Sequence, residues 1–231
     1  MKPRHAAALA LLSFLLAVAV RPEAAISGLI IEKKYTEDGE DRGVPKHCAE
    51  IEIIQGHKER VGTMPEDLVS VPSECRGKWA VIDDLDENIE TTIDYRDRSY
   101  HQKTFIEENV SQQGYGIWKV KPTGKHRKIA GYSCEVYKGS GGSVKWGPST
   151  GTECVSDEAP GAAEYTEFSA LLVRMNVDAN YDAFYDPKGM VLQRLLDCDS
   201  CYRPEEWVVT KIQSKPIPAK FFEPPAGFVK K

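Results

Sequence analysis

Apolar and polar residues alternate with a period of two along much of this chain. In CAEIEIIQG, residues 48–56, Ile51 and Ile53 alternate with Glu50 and Glu52. That is the mark of a half-buried strand, with one face against a core and the other in water. In NIETTIDY, Ile89, Thr91, Ile93 and Tyr95 share one face, and Glu90, Thr92 and Asp94 share the other. SGLIIEKKY (27–35) and KWAVIDDL (78–85) read as further strands, and SYHQK follows the RDR turn. Strands that arrive about every ten residues, with turn residues between them, predict a meandering antiparallel sheet. GYSCEVYKG and GTECVSDE come next, joined through the Gly-rich segment GSGGS (139–143). That segment lacks the Lys-Ser/Thr of a phosphate-binding loop. GMVLQRLLD (189–197) and EWVVTKIQS (206–214) then make a hairpin, and IPAKFFEPPAGF is an extended, proline-marked end suited to a sheet edge.

Two segments break the alternation. TFIEENVSQQ (104–113) opens with Thr104 and Glu107 in capping-box spacing and predicts a short helix. After Pro160-Gly161, AAEYTEFSALLVRMNVDA places Tyr165, Phe168, Leu172, Met175 and Ala179 at steps of three and four. This apolar stripe predicts an amphipathic helix covering one face of the sheet. Strands, a helix and strands again give an α+β class.

The start of the chain sets the expected compartment. Lys2 and Arg4 precede an apolar run, Ala6 to Val20, which Arg21, Pro22 and Glu23 stop. The run is shorter than the roughly 20 residues a spanning helix needs. It reads as a secretory signal peptide over residues 1–25, followed by a single domain over 26–231. No transmembrane segment is expected once the leader is removed. The whole chain has 30 Lys and Arg against 35 Asp and Glu. Loss of the leader removes Lys2, Arg4, Arg21 and Glu23, which takes the net charge from −5 to −7. An acidic surface of this kind repels nucleic acid and anionic headgroups, so no nucleic-acid partner is expected.

Six cysteines, Cys48, Cys75, Cys134, Cys154, Cys198 and Cys201, lie beyond the leader. An even number in an exported chain points to disulfides, although six cysteines allow 15 connectivities. Neighbour pairing is the expectation, because Cys48 and Cys75, Cys134 and Cys154, and Cys198 and Cys201 each flank one turn-rich segment. Cys198 and Cys201 also allow two other chemistries. A redox centre needs a cysteine of lowered pKa, but Asp197 and Asp199 beside this pair act the other way. A structural zinc site would want a second such pair, and only His47-Cys48 offers itself.

Other constellations carry less. DANYDAFYD sets Asp178, Asn180, Asp182 and Asp186 at calcium-loop positions, but Ala183 replaces the turn glycine and Gly189 the bidentate glutamate. His47, His57, His101 and His126 are isolated, and no G-x-S-x-G elbow occurs. No catalytic residue, metal or cofactor is expected.

WAVIDDL, TTIDYRDRSYHQ, KIAGYSCEVYKG, ECVSDE, GMVLQ and IPAKFFEPPAGF stand in the order found in a bacterial exported family. The chain resembles this domain of unknown function over roughly residues 78–228. Its most specific part is I-x-G-Y-x-C-x-x-Y at Ile129, Gly131, Tyr132, Cys134 and Tyr137. The family looks like the lipoprotein-carrier (LolA-like) fold. The resemblance implies a curved antiparallel sheet, an unclosed half-barrel, with helices packed on its concave face. Relatives of that fold carry acyl chains between sheet and helices. This chain departs from the family in lacking the anchoring cysteine of some members and in its Cys198–Cys201 hairpin tip.

The expectation is a non-enzymatic periplasmic or secreted protein. It would bind a lipid or other hydrophobic ligand between sheet and helix, at Tyr165, Phe168, Leu172 and Met175. Two alternatives stand beside it. One is an envelope scaffold or stress protein that works through its surface on an envelope protein. The other is a thiol–disulfide redox helper using Cys198 and Cys201.

Overall fold

The structure is a computed structural model that describes residues 27–35, 48–62, 72–104, 115–143, 147–174, 188–198 and 205–231. Its strands are β1 (Ser27–Tyr35), β2 (Glu50–Gln55), β3 (Lys58–Gly62), β4 (Trp79–Asp84), β5 (Ile89–Asp94) and β6 (Ser99–Thr104). These are followed by β7 (Tyr115–Ile129), β8 (Tyr132–Ser143) and β9 (Gly147–Ser156), then helix α1 (Ala162–Arg174). The last strands are β10 (Met190–Cys198), β11 (Glu205–Pro216) and β12 (Val229–Lys230).

All twelve strands belong to one sheet, in the order β12-β6-β5-β4-β3-β2-β1-β11-β10-β9-β8-β7. β1 lies near the middle. The chain meanders from it through β2 to β6 at one edge. It resumes at the opposite edge with β7 and meanders back, so that β11 pairs β1 antiparallel. Only β12 runs parallel to its neighbour, β6.

The two faces are covered differently. On one, Phe168 of α1 packs with Leu29, Ile31, Ile54, Val191, Leu192 and Val209 in the main apolar cluster. Gly161 starts the helix with φ 75°, and a Cβ there would lie 2.7 Å from Leu29 Cδ1. Glycine therefore lets the helix start sit directly on β1. On the other face Ile30, Ile51 and Ile53 meet Ile217 and Phe221. Ala80, Ile82 and Ile93 meet Phe222 and Phe228. The C-terminal segment 217–231 thus straps this face and ends beside β6.

Three expectations need correction. The first is an α+β half-barrel with helices on its concave face. The described residues hold instead one large, mostly antiparallel open sheet of twelve strands with a single 13-residue helix. The opposite face is covered by the C-terminal strap, which includes a short 3-10 helix at Ala219–Phe222. Of the proposed helix at 104–113, Thr104 ends β6 and the rest lies outside the described residues. The second is the half-buried β2, which is buried on both faces, with Glu50 6% and Glu52 3% exposed. The third is the strand count, since β3, β7 and β12 have no counterpart in the alternation pattern. No helix among the described residues is long and apolar enough to cross a membrane.

Candidate functional site beneath the helix

β1 points Leu29, Ile31, Lys33 and Tyr35 at the helix side of the sheet, because alternate residues share a face. Antiparallel register then brings charge into the same layer. Ile31 pairs Glu52 and Lys33 pairs Glu50 across β2. Tyr35 pairs Trp207 across β11, Trp207 pairs Arg194 across β10, and Arg194 pairs Glu153 across β9. A belt of ionic and aromatic side chains therefore crosses five central strands below the apolar cluster.

The belt is internally matched. Lys33 Nζ makes an ion pair with the Glu52 carboxylate. Arg194 Nε donates to Glu153 Oε1 at 2.7 Å. Trp207 lies between the two cations, with Lys33 Nζ 4.6 Å and the Arg194 guanidinium carbon 5.6 Å from its ring. Both separations are within reach of cation–π attraction. Tyr35 donates its hydroxyl to Glu50 Oε1 at 2.9 Å. Glu153 is 1% exposed and Trp207 3%.

Burial and pairing act against each other here. Burial, the largest single influence, lowers the Lys33 pKa, but Glu52 together with Tyr165 and Tyr35 outweighs it and holds Lys33 well above the ordinary lysine value. Lys33 is therefore a fixed ammonium, unsuited to act as a nucleophile. Glu59 of β3 is half-buried on the opposite side of its strand from Arg60. Burial pushes its carboxyl well up, and the charges of Glu52 and Asp83 push it further. Tyr165, in the first turns of α1, feels the charges of Lys33, Glu52, Arg194 and Glu153. Burial pushes its hydroxyl up to about 12, so it stays a neutral hydrogen-bond donor. The arrangement can hold a fixed pattern of charge under a helix. No group of three His, Cys, Asp or Glu among the described residues could hold a metal ion.

The structure places the sequence-derived residues unevenly. Tyr165 stands over the belt, Phe168 is 2% exposed in the apolar cluster, and Leu172 is partly buried against that cluster. Met175 lies outside the described residues, as do Cys201, His47 and the Asp178–Asp186 segment. Cys48–Cys75 and Cys134–Cys154 are disulfides, each with Cα atoms 5.3 Å apart. Cys198 is the last residue of β10, opposite Ser149 of β9. The β10–β11 hairpin exists as expected. His57 bonds Asp86 at 2.7 Å on the surface. His101 and His126 are exposed on β6 and β7. Sequence reasoning missed Lys33, Glu52, Glu153, Arg194 and Trp207. The one available signal was Glu50 and Glu52 in a strand whose neighbours are all strongly apolar.

No family model matches the chain, and no curated protein matches it. A solved structure, that of an uncharacterized conserved protein from Thermus thermophilus, aligns over 89% of this chain and 90% of that one. Its TM-score is 0.46 at 6% identity, a likeness too slight to carry an argument.

Proposed function

We propose that this chain is an exported, non-enzymatic binding protein that takes a lipid-like apolar ligand between α1 and the sheet. One observation carries the reading. The apolar side of the one described α-helix, Phe168, Leu171 and Leu172, lies on a broad apolar field. Half-exposed Val61 and Val81 of β3 and β4 lie on the same face, separated from that field by Glu52 of β2. An acyl chain lodged between α1 and the sheet would meet apolar side chains from both, and neutral Tyr165 could donate to a carbonyl or phosphate at its polar end. Export is supported by the leader-like residues 1–25 and by two disulfides, which are compatible with an oxidising compartment.

A surface-acting scaffold is the second reading, and the matched ion pairs favour it: a belt whose charges already satisfy one another can serve the fold alone. The redox reading has less behind it. Cys198 is the last residue of strand β10, and Asp197 and Asp199 beside the pair disfavour a thiolate.

Native against denaturing mass spectrometry on protein exported by its own host tests the proposal. A mass lost on denaturation that fragments as a lipid is the expected result. A clean apo mass moves the assignment to the scaffold. Leu172→Trp should reduce uptake of that ligand, and unchanged uptake would place the ligand elsewhere.

A further inference from the structure

The edge strand β7 reverses the charge of the molecule. It holds five of the chain's 30 Lys and Arg (Lys119, Lys121, Lys125, Arg127 and Lys128) and none of its 35 Asp and Glu. Every residue from 121 to 128 is exposed. A net charge of −5 describes the average surface; this strand is a local exception to it.

Register gathers the cations onto one face. Lys121 pairs Lys138, Lys125 pairs Val136, and Arg127 pairs Cys134 across β8. Cys134, Val136 and Lys138 are alternate residues of one strand, so Lys121, Lys125, Arg127 and Lys138 lie on the same side. The row continues inward: Lys138 pairs Thr152 of β9, and Thr152 pairs Leu195 of β10. Leu195, 40% exposed, is one of two exposed large apolar residues among those described. The positions of β8 and β9 on this face between residues 134 and 154 that flank the cations are Cys134, Val136, Lys138, Thr150, Thr152 and Cys154, none of them acidic; the first acidic position in the row is Glu206 of β11, which pairs Leu195 at its inner end. Arg127 reaches across to Gln193 Oε1 at 2.8 Å, past the Cys134–Cys154 bridge.

Edge protection explains part of this. Lysines, a proline and bulges on an edge strand prevent sheets from joining, and β7 has Pro122 and two register shifts. It does not explain Lys138, which sits on an interior strand, or the exposed Leu195 two strands further in.

We propose that the face formed by Lys121, Lys125, Arg127 and Lys138, with Leu195 at its inner end, docks on an anionic phospholipid surface. The cations stand about 5 Å apart across strands and about 7 Å apart along them. An array with that spacing offers several cations at once to a layer of anionic headgroups. Cations attract such a layer and a neighbouring apolar side chain enters the interface. The acidic remainder of the molecule is repelled and sets its orientation. The proposal stands independently of the apolar-ligand reading.

The test is co-sedimentation of the full chain with vesicles of phosphatidylglycerol and phosphatidylcholine, against phosphatidylcholine alone, at low and physiological salt. Binding should require the anionic lipid and weaken with salt. At about fivefold per cation, neutralising Lys121, Lys125, Arg127 and Lys138 to Gln together should reduce it by on the order of 100-fold or more. A control with Lys78, Lys188, Lys220 and Lys230 changed to Gln should bind nearly as the parent does. Circular dichroism checks that both variants fold. No binding at low salt, equal binding to neutral vesicles, or equal losses in the two variants would each overturn the proposal. Binding to polyglutamate without binding to vesicles would also overturn it and assign the face to an acidic protein.

Discussion

Arg60 of β3 donates a hydrogen bond of 2.8 Å from Nη1 to the backbone carbonyl of Phe221. The arginine is 1% exposed, and its other terminal nitrogen bonds the hydroxyl of Tyr95. A buried cation thus pins the C-terminal strap to the strand meander. Burial lowers the Arg60 pKa, and Tyr95 opposes that shift. The guanidinium stays charged at any physiological pH.

Replacing Arg60 by Leu should release the strap. The Phe221 carbonyl and the Tyr95 hydroxyl would lose a charged donor, at a cost of about 3 kcal/mol. Urea unfolding should show the loss, and carboxypeptidase should trim residues 217–231 faster than in the parent. A midpoint shift worth under about 1 kcal/mol would mean that the strap is held by its apolar residues alone.

Glu52→Gln should be far more harmful than removal of the whole Lys33–Glu52 pair. A lone Lys33 ammonium would remain in the belt, costing about 3–5 kcal/mol. The double variant Lys33→Met with Glu52→Leu leaves neither partner charge behind and should fall within about 2 kcal/mol of the parent. Four-point denaturation cycles measure the difference. Additive losses would show that the two side chains act independently.

Glu59 predicts a pH dependence of definite sign. Its folded pKa is raised, so the folded state holds the proton more tightly than the unfolded chain does. The stabilisation is present below the unfolded value near about 4.3 and is lost as pH rises through the folded one. Glu59→Gln should therefore raise the urea midpoint at pH 7 and leave it nearly unchanged at pH 4. Lys33 acts at the other end of the scale. Its stabilisation is present below the unfolded lysine value near about 10.4 and is lost as pH climbs through the raised folded value.

Cys134 and Cys154 enclose a separation of 20 residues. Changing both to Ser should cost about 3 kcal/mol by loss of the loop constraint. Calorimetry of the double variant measures this, and peptide mapping of the oxidised parent should find the 48–75 and 134–154 linkages.

Much of the sheet was legible because one face of each strand differs from the other. β1, β4, β5, β10 and β11 lie within a residue or two of their alternating runs. The strand β7 was not legible. KVKPTGKHRK contains no alternation, because an edge strand with both faces in water needs none. β3 has only five residues, too few to show a period. The start of α1 followed from the spacing of Tyr165, Phe168 and Leu172, which does pack on the sheet.

The candidate site was the least legible part. The glutamates of EIEIIQ were read as a wet face because alternation reports a contrast between two faces, not which side is dry. Glu52 is inside because Lys33, from another strand, meets it there. Glu153 is inside because Arg194, 41 residues later, meets it. The sequence by itself determined where the alternating strands run and where the helix begins; the cysteine pairing it left open, and the structure joins the expected neighbours in two bridges. Only the tertiary structure decided that the second layer is a C-terminal strap and that charges lie beneath the helix. Strand formation and short loop closure depend on local chemistry. Burial of a charge depends on a partner that only the sheet's register can supply.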